Sequence, residues 1–138
     1  MASTSIVSVF ILTLFSFNFG IEASTNILPA KHTIHIHNGL PDNSPILKAH
    51  CASKGDDFGN HTLDAGQSFS WDFQTNIAES TLYFCRFWWI LKTKAFDVFR
   101  AGWDADEYFH TYTYSVRTDG FYLGHEETPT EMSKVNTW

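Results

Sequence analysis

Polar and apolar residues alternate in short bursts along this chain, and clusters of Gly, Pro, Asn and Asp separate the bursts. A period of two is the mark of a half-buried strand. His32-Thr33-Ile34-His35-Ile36-His37 places Ile34 and Ile36 on one face and ends at Asn38-Gly39. After a loop through Pro41 and Pro45, Ile46 to Cys51 predicts a second strand. Residues 53–60 read as a polar, glycine-bearing loop, and residues 63–66 as a turn. From Gln67 to Phe73, Phe69, Trp71 and Phe73 share one side, while Ser68, Ser70 and Asp72 share the other. Thr81 to Leu91 is apolar on both sides, with Leu82, Phe84 and Trp88 opposite Tyr83, Cys85, Phe87 and Trp89. That pattern predicts a central strand with Cys85 buried. Residues 95–99 predict another strand, and 103–107 an acidic loop. Tyr108 to Arg117 alternates again, Asp119-Gly120 signals a tight turn, and Phe121-Tyr122-Leu123 forms the return. Residues 126–138 read as a loose tail. No segment carries strong helical periodicity, although residues 74–80 have room for one helical turn. About seven or eight short strands predict an all-β fold in a single domain, either a small antiparallel β-sandwich or a small barrel.

The start of the chain is different. Ile6 to Phe19 is a short apolar run, followed by Ile21-Glu22-Ala23-Ser24. This is the shape of a secretory signal peptide. It is too short for a comfortable membrane span, which takes about 20 apolar residues. The expectation is a signal peptide at 1–23, cleavage after Ala23, and a secreted, extracellular domain at 24–138 without stable membrane insertion. The remaining stretch of about 115 residues is the usual size of one domain. The full chain carries a net charge of -6, which argues against a nucleic-acid partner, since phosphate binders need clustered cations. Thirteen Phe, five Trp and five Tyr are the compositional outlier, and they suit a dense core in a small domain.

Export would put Cys51 and Cys85 in an oxidising compartment, where an even count favours pairing. Their bridge would close a loop of about 35 residues, worth roughly 4 kcal/mol by chain entropy. Asn60-His61-Thr62 is an N-glycosylation sequon, which makes Asn60 a candidate modification site. His35 and His37 lie two apart on one strand face, close enough to co-ligate zinc if His50 or His110 joined them. A plain polar outer face explains them equally simply, and no metal or cofactor is expected. Asp56-Asp57 and the acidic group at Asp104, Asp106 and Glu107 read as solvated loops, because no calcium-loop spacing accompanies them. No nucleophile elbow, phosphate-binding loop or metalloprotease motif is present, so an enzyme is not expected. An aromatic platform for sugars remains an alternative, with Trp71, Trp88, Trp89 and above all Trp103 as candidates.

One run is distinctive in its order: Cys51, Ser53-Lys54, the acidic pair Asp56-Asp57, then Gly59. With Ile34-His35-Ile36-His37-Asn38 before it, and Gly66-Gln67-Ser68-Phe69-Ser70-Trp71, Thr81-Leu82-Tyr83-Phe84-Cys85, Phe96-Asp97-Val98-Phe99 and Asp119-Gly120-Phe121-Tyr122 after it, the chain resembles the plant self-incompatibility S-protein homologues. The resemblance covers nearly all of the chain after residue 23. It implies a β-sandwich serving as an extracellular protein signal; the founding members are pistil-secreted ligands of a pollen surface receptor. Many members of that family carry two further cysteines shortly before the Asp-Gly turn, and the stretch from Tyr108 to Tyr114 has none. That loss implies that the missing two pair with each other and that Cys51 pairs with Cys85. Phe58 stands where the family usually has Leu. The expected function is therefore a secreted, non-enzymatic ligand for a cell-surface receptor, with a secreted carbohydrate-binding module as the alternative. Candidate contact loops are 38–45, 53–61, 74–80 and 101–107, since loops on a rigid frame commonly carry specificity.

Overall fold

A computed structural model of the chain describes residues 30–75, 81–102 and 109–138. Nine strands run in order: β1 (Ala30–Asn38), β2 (Leu47–Ala52), β3 (Asp57–Leu63), β4 (Ser68–Thr75), β5 (Leu82–Trp89), β6 (Lys92–Arg100), β7 (Thr111–Arg117), β8 (Gly120–Gly124) and β9 (Ser133–Asn136). They form a five-stranded sheet, β4-β1-β7-β8-β9, and a four-stranded sheet, β3-β2-β5-β6. The all-β class is the one the alternation predicts, and two sheets rather than a closed barrel is the form the resemblance implies. The pairs are antiparallel except β1 with β7, which run parallel with Ile34 opposite Tyr112 and Ile36 opposite Tyr114. A parallel pair cannot be joined by a hairpin. Here the connection between its strands contains the entire second sheet.

The alternation sorts side chains as predicted on β4, where Trp71 and Phe73 are buried and Ser68, Ser70 and Asp72 are exposed. On β5, Tyr83, Cys85, Phe87 and Trp89 point into the core. The opposite face of β5 is not buried as a central strand suggested: Phe84 and Arg86 are exposed there. β5 is interior in the sheet because β2 and β6 flank it, while its outer face stays in contact with solvent. Two further expectations change. The polar run at 53–60 is not all loop, because its second half opens β3. Nor is the tail loose: β9 pairs with β8, and the Trp138 indole packs on Phe121 and donates to the Arg117 carbonyl at 2.9 Å.

The core between the sheets is largely aromatic. Phe99 meets Phe73 edge-on, and Phe87, Phe96 and Phe121 form a second group of rings. Full burial of one such side chain contributes on the order of 2 kcal/mol. Cys51 lies directly opposite Cys85 across β2 and β5, and the two are joined as a disulfide with Cα atoms 4.1 Å apart. It staples two central strands of one sheet, and both cysteines are fully buried.

Polar side chains tie the sheets to each other. Tyr114, on the five-stranded sheet, donates its hydroxyl to the Val98 carbonyl of the other at 2.6 Å. Burial keeps that phenol well above its ordinary pKa, so it remains a donor. Asn38, also buried, closes one end of the sandwich. Its Nδ2 donates to the Leu63 carbonyl on β3 at 2.9 Å, and its Oδ1 accepts from the Leu40 amide at 2.9 Å. Its main-chain N–H donates to Gln67, and its carbonyl accepts from Gly66. A buried carbonyl left without a donor is costly. We therefore expect Asn38→Ala to lower the unfolding free energy by about 2–4 kcal/mol, measured by urea denaturation. A loss below about 1 kcal/mol would show that this tie is dispensable.

Candidate recognition surfaces

Three surfaces present chemistry. The first is a cleft at the end of the sandwich where β2 and β4 finish and β5 begins. Its volume is about 790 Å³, and Lys54, Asp56, Asp72, Gln74 and Tyr83 contribute to its walls. Tyr83 carries its ring in the core against Phe73 and Trp71 and raises its hydroxyl toward Asp56. Burial first, and then the Asp56 carboxylate, pushes that phenol above its usual range. Asp57 is held below the usual carboxylate range, first by the Gly59 amide and then by His50, whose Nε2 lies 2.6 Å away. The acidic pair is thus split in role: Asp56 faces the cleft, and Asp57 braces the β2–β3 connection. Two of the four candidate contact loops, 53–61 and 74–80, border this cleft with their described residues. The described start of 101–107 lies beside it, Ala101 N–H donating to the Thr81 carbonyl. Loop 38–45 lies at the opposite end with Asn38. Residues 76–80, and 103–107 with Trp103, lie outside the described residues.

The second surface is the β5–β6 hairpin, whose two-residue turn is Ile90-Leu91. The apolar pattern predicts strand through both, whereas the pairing of Trp89 with Lys92 makes them the turn. Leu91 is 98% exposed and Ile90 60%. Ile46, just before β2, is 51% exposed as well. Ile90 has φ +57°, a left-handed conformation that a β-branched side chain rarely adopts. Gly is usual at the first position of such a turn. Asn43 also has positive φ, but Asn tolerates it. Lys48 and Lys92 sit over the rings of Trp88 and Trp89, at 5.4 and 5.7 Å. An apolar tip with cations behind it is therefore held out from the sheet at a cost in backbone strain.

The third is the outer face of the five-stranded sheet. His35 and His37 occupy it, as the alternation predicted, with His37 Nδ1 2.7 Å from the Ser68 hydroxyl. Among the described residues, no carboxylate orients that His–Ser pair, and no group of three or more metal-ligating residues gathers. His50 belongs to the other sheet and is taken by Asp57; the His110 ring faces His32, and its Nδ1 lies 3.1 Å from the Lys31 carbonyl. His32 shares the parity of Ile34 and Ile36 and is buried against Phe73 and Phe99. That parity was the readable signal for it. Of the sugar-platform candidates, Trp71 and Trp89 are core residues, and Trp88 is half-buried beneath Lys48. Asn60 is exposed on edge strand β3, with Thr62 exposed two residues on.

These features define a small two-sheet β domain stapled within one sheet. Residues 33–138 match the family model described as plant self-incompatibility protein S1, and the chain belongs to that family. S-protein homolog 24 of Arabidopsis thaliana is 32% identical over 136 residues, covering 95% of this chain and 89% of that protein. S-protein homolog 2 of the same plant is 42% identical over 80 residues, which is 56% of this chain and 49% of the relative. A solved structure of SPH (Self-Incompatibility Protein Homologue) proteins, described as a widespread family of small, highly stable, secreted proteins from plants, shares the fold. Its TM-score is 0.59 at 22% identity, covering 80% of this chain and 96% of that one.

Two predictions follow from the geometry. Replacing Ile90 by Asn removes left-handed strain at an exposed site and should raise stability by about 0.5–1 kcal/mol in chemical denaturation. His37 has its pKa lowered, first by burial and then by the Arg117 charge. The unfolded chain then takes up the proton more readily, so this residue's contribution is fully present above about pH 6.5 and falls as pH drops below it. The difference in Tm between wild type and His37→Gln should shift in favour of the variant between pH 7 and pH 5. A difference that does not change with pH would remove this assignment.

Proposed function

We propose that this protein is exported and acts outside the cell as a non-enzymatic protein ligand whose partner is a cell-surface receptor. Family membership, the buried disulfide and the described nature of the solved homologue support export. The observation that carries the binding role is the hairpin tip. Leu91, at 98% exposure, stands beside a strained Ile90. Natural sequences seldom maintain exposed apolar groups on strained backbone without a use for them. A receptor pocket lined with apolar groups and rimmed by carboxylates would take Leu91 and Ile90 at its centre and Lys48 and Lys92 at its edge. A glycan on Asn60 would sit on the edge of β3 and block edge-to-edge sheet pairing while leaving the tip clear.

The experiment is proximity labelling on intact plant cells with tagged wild type and Leu91→Asp. The wild type is expected to enrich a membrane receptor. The variant, with unchanged Tm, is expected to lose that capture by roughly 30-fold, the size of a single interface hot spot. Equal capture by the variant moves recognition away from the tip, and no enriched membrane protein with wild type overturns the receptor reading.

A further inference from the structure

β7 is buried on both faces, although its outward residues are Thr113 and Ser115. The cover is the segment between β8 and β9. Thr113 Oγ1 donates to the Glu126 carbonyl at 2.6 Å, and Pro129 packs over Gly124, where an added Cβ would lie 2.5 Å from the proline. The cover does not seal against the sheet. It leaves a cavity of about 600 Å³ between the segment and β1, β4 and β7. That lies within the range of small-molecule sites, roughly 300–1,000 Å³.

Hydrogen-bond donors converge on this space. Arg117 passes its Nε to the Ser115 hydroxyl at 3.3 Å and one terminal nitrogen to the Met132 sulfur at 3.4 Å, and its guanidinium lies 4.2 Å over the Tyr122 ring. A thioether is a weak acceptor for a guanidinium. None of the three ion pairs among the described residues includes Arg117. Ser115 accepts from Arg117 and keeps its own proton to donate. His37 spends Nδ1 on Ser68 and keeps Nε2 for another partner, and both His37 and His35 line the cavity. The carboxylate on the lining is Glu127, on the exposed covering segment. Asp72, two rows along β4, is engaged by the Thr33 hydroxyl at 2.6 Å.

We propose that this cavity is a binding site for a small hydroxylated oxyanion, a sugar acid or a sugar phosphate, with Arg117 as its charge partner and Ser115, His35 and His37 as its hydrogen-bonding wall. A planar guanidinium without a carboxylate partner is matched to a carboxylate or phosphate, and the hydroxyl and imidazole groups around it suit a polyol. Gly39 belongs to the same wall, because a Cβ there would lie 2.4 Å from the Ser115 hydroxyl oxygen. The titratable and charged groups around His37 are Arg117 from β7, His35 from its own strand and Glu127 from the cover. A bound anion would offset Arg117 and raise the His37 pKa. This site is distinct from the hairpin tip and does not depend on the receptor reading.

The test is an NMR titration of the histidine imidazole signals with trigalacturonate, with glucose 1-phosphate, and with neutral maltotriose as the third arm. Saturable binding of either anion, with the His37 pKa moving upward, supports the site, and the arm that binds tighter names the source of the anion. Arg117→Met should weaken that binding by about tenfold or more, and Arg117→Lys should recover part of it. His35→Gln, at a residue whose side chain makes no hydrogen bond among the described residues, should weaken it several-fold with unchanged Tm. Maltotriose binding as tight as the anions, anion binding unaltered in both Arg117→Met and His35→Gln, or no response of His37 to any of the three would overturn the proposal.

Discussion

Asn38 sits where the two sheets of the sandwich meet, and what the molecule can do depends on their being held in one relation. The residue ends β1, a strand paired on both sides, and its amide side chain reaches across to β3. Its backbone groups bond the β3–β4 turn at Gly66 and Gln67, and the next residue, Gly39, donates to Val116 on β7. Two sheets with an aromatic core gain most of their free energy from burial, which is indifferent to direction. A buried amide is not indifferent, because each of its polar atoms demands a partner in a defined place. Asn38 thus converts a slippery apolar contact into a set orientation. Tyr114 does the same farther along, through Val98.

The disulfide acts differently. Cys51 and Cys85 already face each other across neighbouring strands, so the bond adds little direction to the native sheet. Its chief effect lies in the unfolded chain, where it closes a loop with a separation of 34 residues and removes conformational freedom. The frame that results is stiff enough to tolerate a turn such as Ile90-Leu91, in which the backbone adopts a conformation its side chain disfavours. Strain of this kind persists only where the surroundings over-determine it, and here the β5–β6 ladder does so.

The C-terminal segment gives the five-stranded sheet its asymmetry. β9 approaches β8 so closely that a Cβ at Gly120 would lie 2.3 Å from the Asn136 carbonyl. Gly120 is therefore demanded by the returning chain as well as by the turn, in which Thr118 and Asp119 are the connecting residues and Gly120 already pairs with Arg117. The covering segment turns an ordinary polar sheet face into a partly enclosed one. That enclosure desolvates His37 and gathers donors around Arg117. An exposed strand face of Ser, Thr and His would have no comparable selectivity, because water would compete at every position.

Local alternation made much of this legible. The inward sets Ile34-Ile36, Trp71-Phe73 and Tyr83-Cys85-Phe87-Trp89 follow from a period of two, since successive residues of a strand must face opposite ways. β3 was hidden because Asp57, Gly59 and Asn60 are turn formers by local preference, and pairing with β2 overrides that preference. β9 was hidden because Ser133, Lys134 and Val135 are all exposed and show no alternation; it is a strand through its backbone bonds to β8. The hairpin tip was missed because Ile90 and Leu91 look like more of the apolar strand before them. Of the candidate loops, 53–61 turned out to be loop only in its first half, and its sharing an end of the sandwich with the described part of 74–80 was not legible. The sequence alone determined which residues turn inward on most strands and that two cysteines were available to join. Only the tertiary structure decided that β1 runs parallel beside β7, that the tail roofs their outer face, and that His37, Ser115 and Arg117 share one cavity. Those neighbours are distant along the chain, and pairing between distant strands leaves no periodic trace in either partner.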